Sequence, residues 1–222
     1  MYDKIGRKFH EQEVLRKSKG NRIIMKTKMG VKKKSSLLVI ICVVVLGTFL
    51  VVNLYILVRT PKQYMITSEN YFDYQPHYEC SGYSSAYVLR SLGEDANGLE
   101  LYNDISNKNN DGTVAPKNLV GFLSEKGYSV KLCSGTMLQL KHEISKGIPV
   151  IVFVRTSPKE SYYHYLPIVG YDEENIYAAE SLQYKTNAEN EHYNRIIGNS
   201  DFEMMWETGV FRKNTYITIK LK

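Results

Sequence analysis

The chain has 222 residues, a formal net charge of +6, 43% hydrophobic and 23% charged residues, and three cysteines. That length holds one domain of the usual roughly 100–150 residues plus a remainder, and so few cysteines exclude a disulfide framework. The charge is local: residues 1–34 hold 12 Lys/Arg against 3 Asp/Glu, whereas residues 59–222 hold 17 against 20, so the basic character belongs to the N-terminal tail and no basic nucleic-acid-binding domain is indicated.

Residues 1–36 read as a basic tail with no core of its own, lying in solution or on the membrane surface. Residues 37–58 are uncharged and almost wholly apolar, with Asn53 the strongly polar exception. A helix of that length spans the ~30 Å hydrocarbon core, and no small-x-small cleavage pattern follows it, so it reads as an uncleaved anchor. Lys32, Lys33 and Lys34 abut its N-terminal side and only Arg59 and Lys62 follow closely. The positive-inside rule therefore keeps the tail cytoplasmic, against anionic lipid, and places the C-terminal domain outside. Cys42, in mid-span, has no lipobox-like context.

Residues 59–69 form a tether with Pro61 as a helix stop, and its tyrosine-rich continuation should pack on a domain of residues 70–222. Helical spacing begins at Cys80 and ends at Gly93. A short helix is expected around residues 99–105. Pro116 opens another, stopped by Gly127. A strand over 128–133 and an amphipathic helix over 136–146 come next. Residues 148–154 are a β-branched run suited to a central strand covered on both faces. Two strands, 164–171 and 175–180, flank a turn at Asp172-Glu173-Glu174. A polar loop then extends to Asn199, Ser200-Asp201-Phe202-Glu203 reads as a capping box, and an alternating strand over 215–221 closes the sheet. Helices first and an antiparallel sheet afterwards give an α+β domain.

Chemistry is expected at Cys80. A thiol at a helix N-terminus faces unpaired amide N–H groups and the positive end of the helix dipole, both of which favour the nucleophilic thiolate. Gln75, five residues upstream, can aim an amide N–H at an oxyanion. The plain alternative is a buried core cysteine beside a loop amide. Cys80 and Cys133 could also pair with each other, which would abolish the nucleophile. His164 heads the strand hairpin. With the turn centred on residues 172–174, Leu166 stands opposite Glu180, and His164 lies one diagonal step from that carboxylate, ~7–8 Å at the backbone. A carboxylate on one ring nitrogen fixes the tautomer and leaves the other nitrogen for a thiol. A register shifted by one residue would turn Glu180 to the opposite face. His77, His142 and His192 read as loop or solvated residues. No Cys/His spacing suggests zinc, and no cofactor is expected.

The combined order resembles a known family. Gln75…Cys80 leads a helix ending Val88-Leu89-Arg90-Ser91-Leu92-Gly93; Lys146-Gly147-Ile148-Pro149-Val150-Ile151-Val152 follows. Then come His164-Tyr165-Leu166-Pro167-Ile168-Val169-Gly170-Tyr171-Asp172 and Ile176-Tyr177-Ala178-Ala179-Glu180-Ser181. Together they are similar to the bacteriocin-processing, peptidase C-39-like branch of the papain-like cysteine peptidases, over roughly residues 70–222. The resemblance implies a papain-like α+β fold, Cys80 as nucleophile, His164 as general base and acid, Glu180 in place of the usual aspartate, and Gln75 as oxyanion donor. Ser81-Gly82 stands where the family usually has Gly-Pro or Gly-Ala, Glu180-Ser181 replaces its Asp-Pro, and the Gln75–Cys80 gap is one residue short. The expected activity is hydrolysis of a peptide or related amide outside the membrane. The alternative is a catalytically silent module that binds a peptide, a cell-wall fragment or a membrane protein partner.

Overall fold

The computed structural model describes residues 13, 15–17, 19–20, 40–209 and 213–222. Most of the basic tail and the first three residues of the expected membrane span thus lie outside the described residues. The chain divides into two units, residues 1–55 and 56–222.

Helix α1, Ile40–Arg59, is long and apolar enough to cross a membrane, with a mean hydropathy of 2.7 over its most apolar window. Most of its large apolar side chains are exposed. The polar groups on it are satisfied within the helix: Thr48 Oγ1 donates to the Val45 carbonyl at 2.9 Å and Asn53 Nδ2 to the Phe49 carbonyl at 2.8 Å, as an apolar surrounding requires.

The larger unit is a wholly antiparallel sheet with helices on both faces. Its strands are β1 (Tyr64–Met65), β2 (Ser129–Ser134), β3 (Val150–Arg155), β4 (Tyr163–Tyr171), β5 (Asn175–Ala178), β6 (Arg195–Gly198) and β7 (Thr215–Lys220). Their order is β2-β7-β3-β4-β5-β6, with β1 added beside β4. The helices are α2 (Cys80–Ser91), α3 (Gly98–Asp104), α4 (Pro116–Glu125), α5 (Met137–Ile144) and α6 (Asn199–Trp206).

Alternation along β3 builds two cores. Val150, Val152 and Val154 meet Leu140 and Ile144 of α5 and Phe202, Met205 and Trp206 of α6. Ile151 and Phe153 meet Ala86, Val88 and Leu89 of α2 and Leu119 and Leu123 of α4. The β-branched run is thus the central strand covered on both sides, as its composition dictates. Strand β7 divides likewise, Tyr216 on one face and Ile217 and Ile219 on the other.

Three local features differ from expectation. The segment expected as a tether supplies the edge strand β1, which pairs Tyr64 with Tyr171 and Met65 with Gly170. The expected polar loop before residue 199 contains β6, which pairs fully with β5. The capping box at Ser200 does not form: α6 starts two residues earlier, with Gly198 as N-cap in place of Ser200 and no side-chain cap. A capping box does close α5, where Thr136 and Gln139 exchange side-chain and backbone bonds.

Candidate active site

Ser84 and Gly82 dock α2 on its neighbours, and so hold Cys80 at the first turn. Glu79 is the N-cap residue; its carbonyl accepts the amides of Gly82 and Tyr83 at 2.9 and 3.1 Å, and its carboxylate takes the His77 amide at 2.7 Å. Ser84 Oγ donates to the carbonyl of Tyr165 at 2.7 Å, tying α2 to β4 one residue from His164. Ser85 Oγ turns back to the Ser81 carbonyl at 2.7 Å. Gly82 is where α3 crosses: a Cβ there would lie 2.2 Å from the Gly98 carbonyl oxygen, and one on Gly98 would lie 2.7 Å from the Tyr83 ring. Glycine is therefore demanded two residues after the cysteine by close backbone approach. Cys80 itself is half-buried, and it, Cys133 and Cys42 are all free thiols, so the Cys80–Cys133 bridge left open above is absent.

His164 and Glu180 meet. His164 Nε2 donates to Glu180 Oε1 at 2.8 Å, with both side chains almost wholly buried. With Nε2 engaged, Nδ1 is left for the Cys80 thiol, whose proximity favours the charged ring. The strand register behind this contact is instructive. Near the turn Tyr171 faces Ile176 and Gly170 faces Tyr177, one residue out of step with the expected pairing. A bulge at Val169 restores it, so that Ile168 faces Ala178, and the amide of Ala179 reaches the Pro167 carbonyl at 2.9 Å. The extra residue returns Glu180 to the face shared with His164.

Electrostatics favour an ion pair. For His164 burial is the largest influence and opposes the charged ring, but the Glu180 carboxylate and the nearby Cys80 thiol outweigh it and raise the imidazole to about 10. For Glu180 burial again opposes charge, while His164, then Arg195 and the Leu182 amide, hold the carboxyl down at about 2. Carboxylate and imidazolium thus stabilise one another in a site nearly free of solvent.

Gln75 is bound to the same neighbourhood through Ser181. Its backbone amide donates to the Ser181 carbonyl at 2.9 Å, its Oε1 accepts from Ser181 Oγ at 2.7 Å, and its Nε2 donates to the His77 carbonyl at 2.8 Å. An amide nitrogen carries two N–H groups, so one remains for a further acceptor. Two other histidines stand elsewhere: His142 contacts Thr60 Oγ1 at 3.2 Å, and His192 lies 3.0 Å from the exposed carboxylate of Glu191. Cys133 sits on β2, opposite Tyr216 of β7 in the ladder. Among the described residues no group of three or more His, Cys, Asp or Glu is arranged to hold a metal ion.

Two residues of this neighbourhood were not anticipated. Asn194 accepts the Glu180 amide at 2.6 Å and donates to the Glu180 carbonyl at 2.8 Å. Arg195 Nη1 donates to Glu180 Oε2 at 2.6 Å, and its Nη2 to the Thr156 carbonyl at 2.9 Å. Both belong to the segment expected to be a polar loop; the apolar pair Ile196-Ile197 before a glycine was the available sign of a strand there.

A family profile described as "Peptidase_C39 like family" matches residues 63–213. Among solved structures, the chain is similar to a C39-like peptidase of Bacillus anthracis, at 17% identity and a TM-score of 0.57, covering 71% of this chain and 98% of that one. It is also similar to the peptidase domain of Streptococcus ComA, a bifunctional ABC transporter involved in quorum sensing, at 16% identity and a TM-score of 0.53, covering 68% and 98%. A third similar structure is a double glycine motif protease from an AMS/PCAT transporter, solved with its leader peptide, at 14% identity and a TM-score of 0.50, covering 70% and 94%. At these identities the likeness concerns the fold. No curated protein matches the chain.

Proposed function

This chain belongs to the peptidase C39-like family, and from that premise we propose that it is a membrane-anchored cysteine peptidase or amide hydrolase whose site lies outside the cytoplasmic membrane. The observation that carries the reading is the buried His164–Glu180 pair, 2.8 Å apart, with the thiol that opens α2 near enough to act on the ring. The Cys80 thiolate attacks the scissile carbonyl carbon, and the C–N bond then breaks as imidazolium His164 gives its proton to the leaving amine. Water, deprotonated by His164, hydrolyses the resulting thioester. Glu180 keeps the ring oriented and its charge compensated. The Cys80 amide and the unengaged N–H of Gln75 are the candidate oxyanion donors.

The anchor is α1, and its orientation follows from the lysines that precede it: the tail stays cytoplasmic against anionic lipid while residues 70–222 lie outside. A peptide substrate is favoured by the family and by the leader peptide held by one of the similar structures.

A second reading, a catalytically silent module that binds peptide, is favoured by one observation: Gln75 is engaged on both sides of its amide, by Ser181 and His77. The full chain in detergent micelles, incubated with a mixed peptide library and followed by mass spectrometry, separates the two. Hydrolysis predicts new peptide termini that vanish with Cys80→Ala; peptide retention without cleavage by the wild-type chain supports the silent module and contradicts the peptidase.

A further inference from the structure

Glu180 is held from three sides by the short strand β6 and the turn that follows Glu180 itself. Its backbone is bracketed by the Asn194 carboxamide at 2.6 and 2.8 Å. Oε1 is shared between His164 and the Leu182 amide at 2.7 Å. Oε2 is taken by Arg195, whose side chain is itself 8% exposed. Arg195 then reaches past Glu180 to the Thr156 carbonyl, at the start of the β3–β4 connection. Thr156 Oγ1 donates to Glu160 at 2.6 Å, and Lys185 closes the chain on Glu160 at 2.7 Å. A buried arginine of this kind is costly unless its partners are placed to match its fork. Here each of the two terminal nitrogens has an acceptor, one on the proposed triad and one on the segment leading to His164.

We propose that Arg195 is a positioning residue for the reaction: it locks the longer Glu180 side chain so that one carboxylate oxygen stays on His164 Nε2, and it acts on Cys80 only through that carboxylate. A glutamate has one more rotatable bond than an aspartate, and an oxygen free to leave the ring would let the imidazole turn. The second oxygen, pinned by a charged hydrogen bond, removes that freedom. The inference rests on the peptidase reading, because it assigns Arg195 to the same thiol–imidazole machinery. The ionisable groups bonded to Glu180 are His164 on β4 and Arg195 on β6. Asp73, Tyr83 and Arg90 line a small space beside it.

The test is a double-mutant cycle on the full chain in micelles, reading the rate of Cys80 alkylation by iodoacetamide, mapped by mass spectrometry. Arg195→Gln is expected to slow alkylation about tenfold or more, whereas in a Glu180→Ala background the same change has no further effect. Arg195→Lys, which keeps the charge, recovers most of the wild-type rate and serves where Arg195→Gln does not fold. The double variant carries neither buried charge and provides a second folded reference. An equal loss from Arg195→Gln in both backgrounds, or no loss in either, overturns the positioning role. Wild-type alkylation unchanged by His164→Ala instead sinks the thiol–imidazole reading, and the Arg195 role with it; a rate that falls with His164→Ala and not with Arg195→Gln defeats the Arg195 role alone.

Discussion

His164 and Glu180, sixteen residues apart, are joined by a 2.8 Å hydrogen bond in a site where neither side chain reaches solvent to any useful extent. Glu180 is also the carboxylate that neutralises Arg195 at 2.6 Å. Glu180→Gln therefore strands a buried guanidinium beside an imidazole and is expected to cost about 3–5 kcal/mol, the usual penalty for removing one partner of a buried pair. The urea midpoint of the full chain in micelles, compared with wild type, reads this loss.

Acid and alkali should each remove stability, through different partners. The His164 ring is raised from an ordinary 6.5 to about 10, so its contribution is complete below about 6.5 and is lost as pH rises through about 10. The Glu180 carboxyl is lowered from 4.5 to about 2, so its contribution is complete above about 4.5 and is lost as pH falls through about 2. Stability from the pair is greatest between those ordinary values and declines on either side. The difference in melting temperature between wild type and Glu180→Gln, followed across pH, should show that dome; a difference independent of pH would contradict the ion pair.

Gly82 connects packing to reactivity. A methyl group there meets the Gly98 backbone oxygen at 2.2 Å, and a backbone atom cannot swing aside as a side-chain tip can. Gly82→Ala should force α2 from α3, cost about 1–3 kcal/mol, and slow Cys80 alkylation because the thiol moves with its helix. Gly121→Ala, inside α4 where nothing lies within 4 Å, is the control expected to leave the alkylation rate unchanged and to raise stability by about 0.5–1 kcal/mol.

The sequence made the central strand, the Cys80 helix and the His164 hairpin legible because each carries its own signal: a β-branched run, a helical period bounded by glycine, two strands around an acidic turn. The bulge at Val169 carries none. The observed Tyr171–Ile176 pairing, continued without a bulge, would send Glu180 to the wrong face; the register expected from the turn differs from it there and matches the Ile168–Ala178 pairing beyond the bulge. Strand β6 was hidden because its inward residue, Arg195, is charged, and a charge faces inward only where a buried partner such as Glu180 waits. That partner sits fifteen residues away and is invisible to any local pattern. The Ser200 capping box failed for a similar reason: pairing of Gly198 with Asn175 ends β6 immediately before the helix, so α6 begins before the serine can cap it.

The most direct measurement is the site of fast alkylation when the intact chain is treated with limiting iodoacetamide. If Cys80 is activated by His164, modification maps to Cys80 well ahead of Cys133 and Cys42, falls steeply with His164→Ala, and disappears with Cys80→Ala. Rapid modification that persists in Cys80→Ala, or that maps to Cys133, would contradict the account.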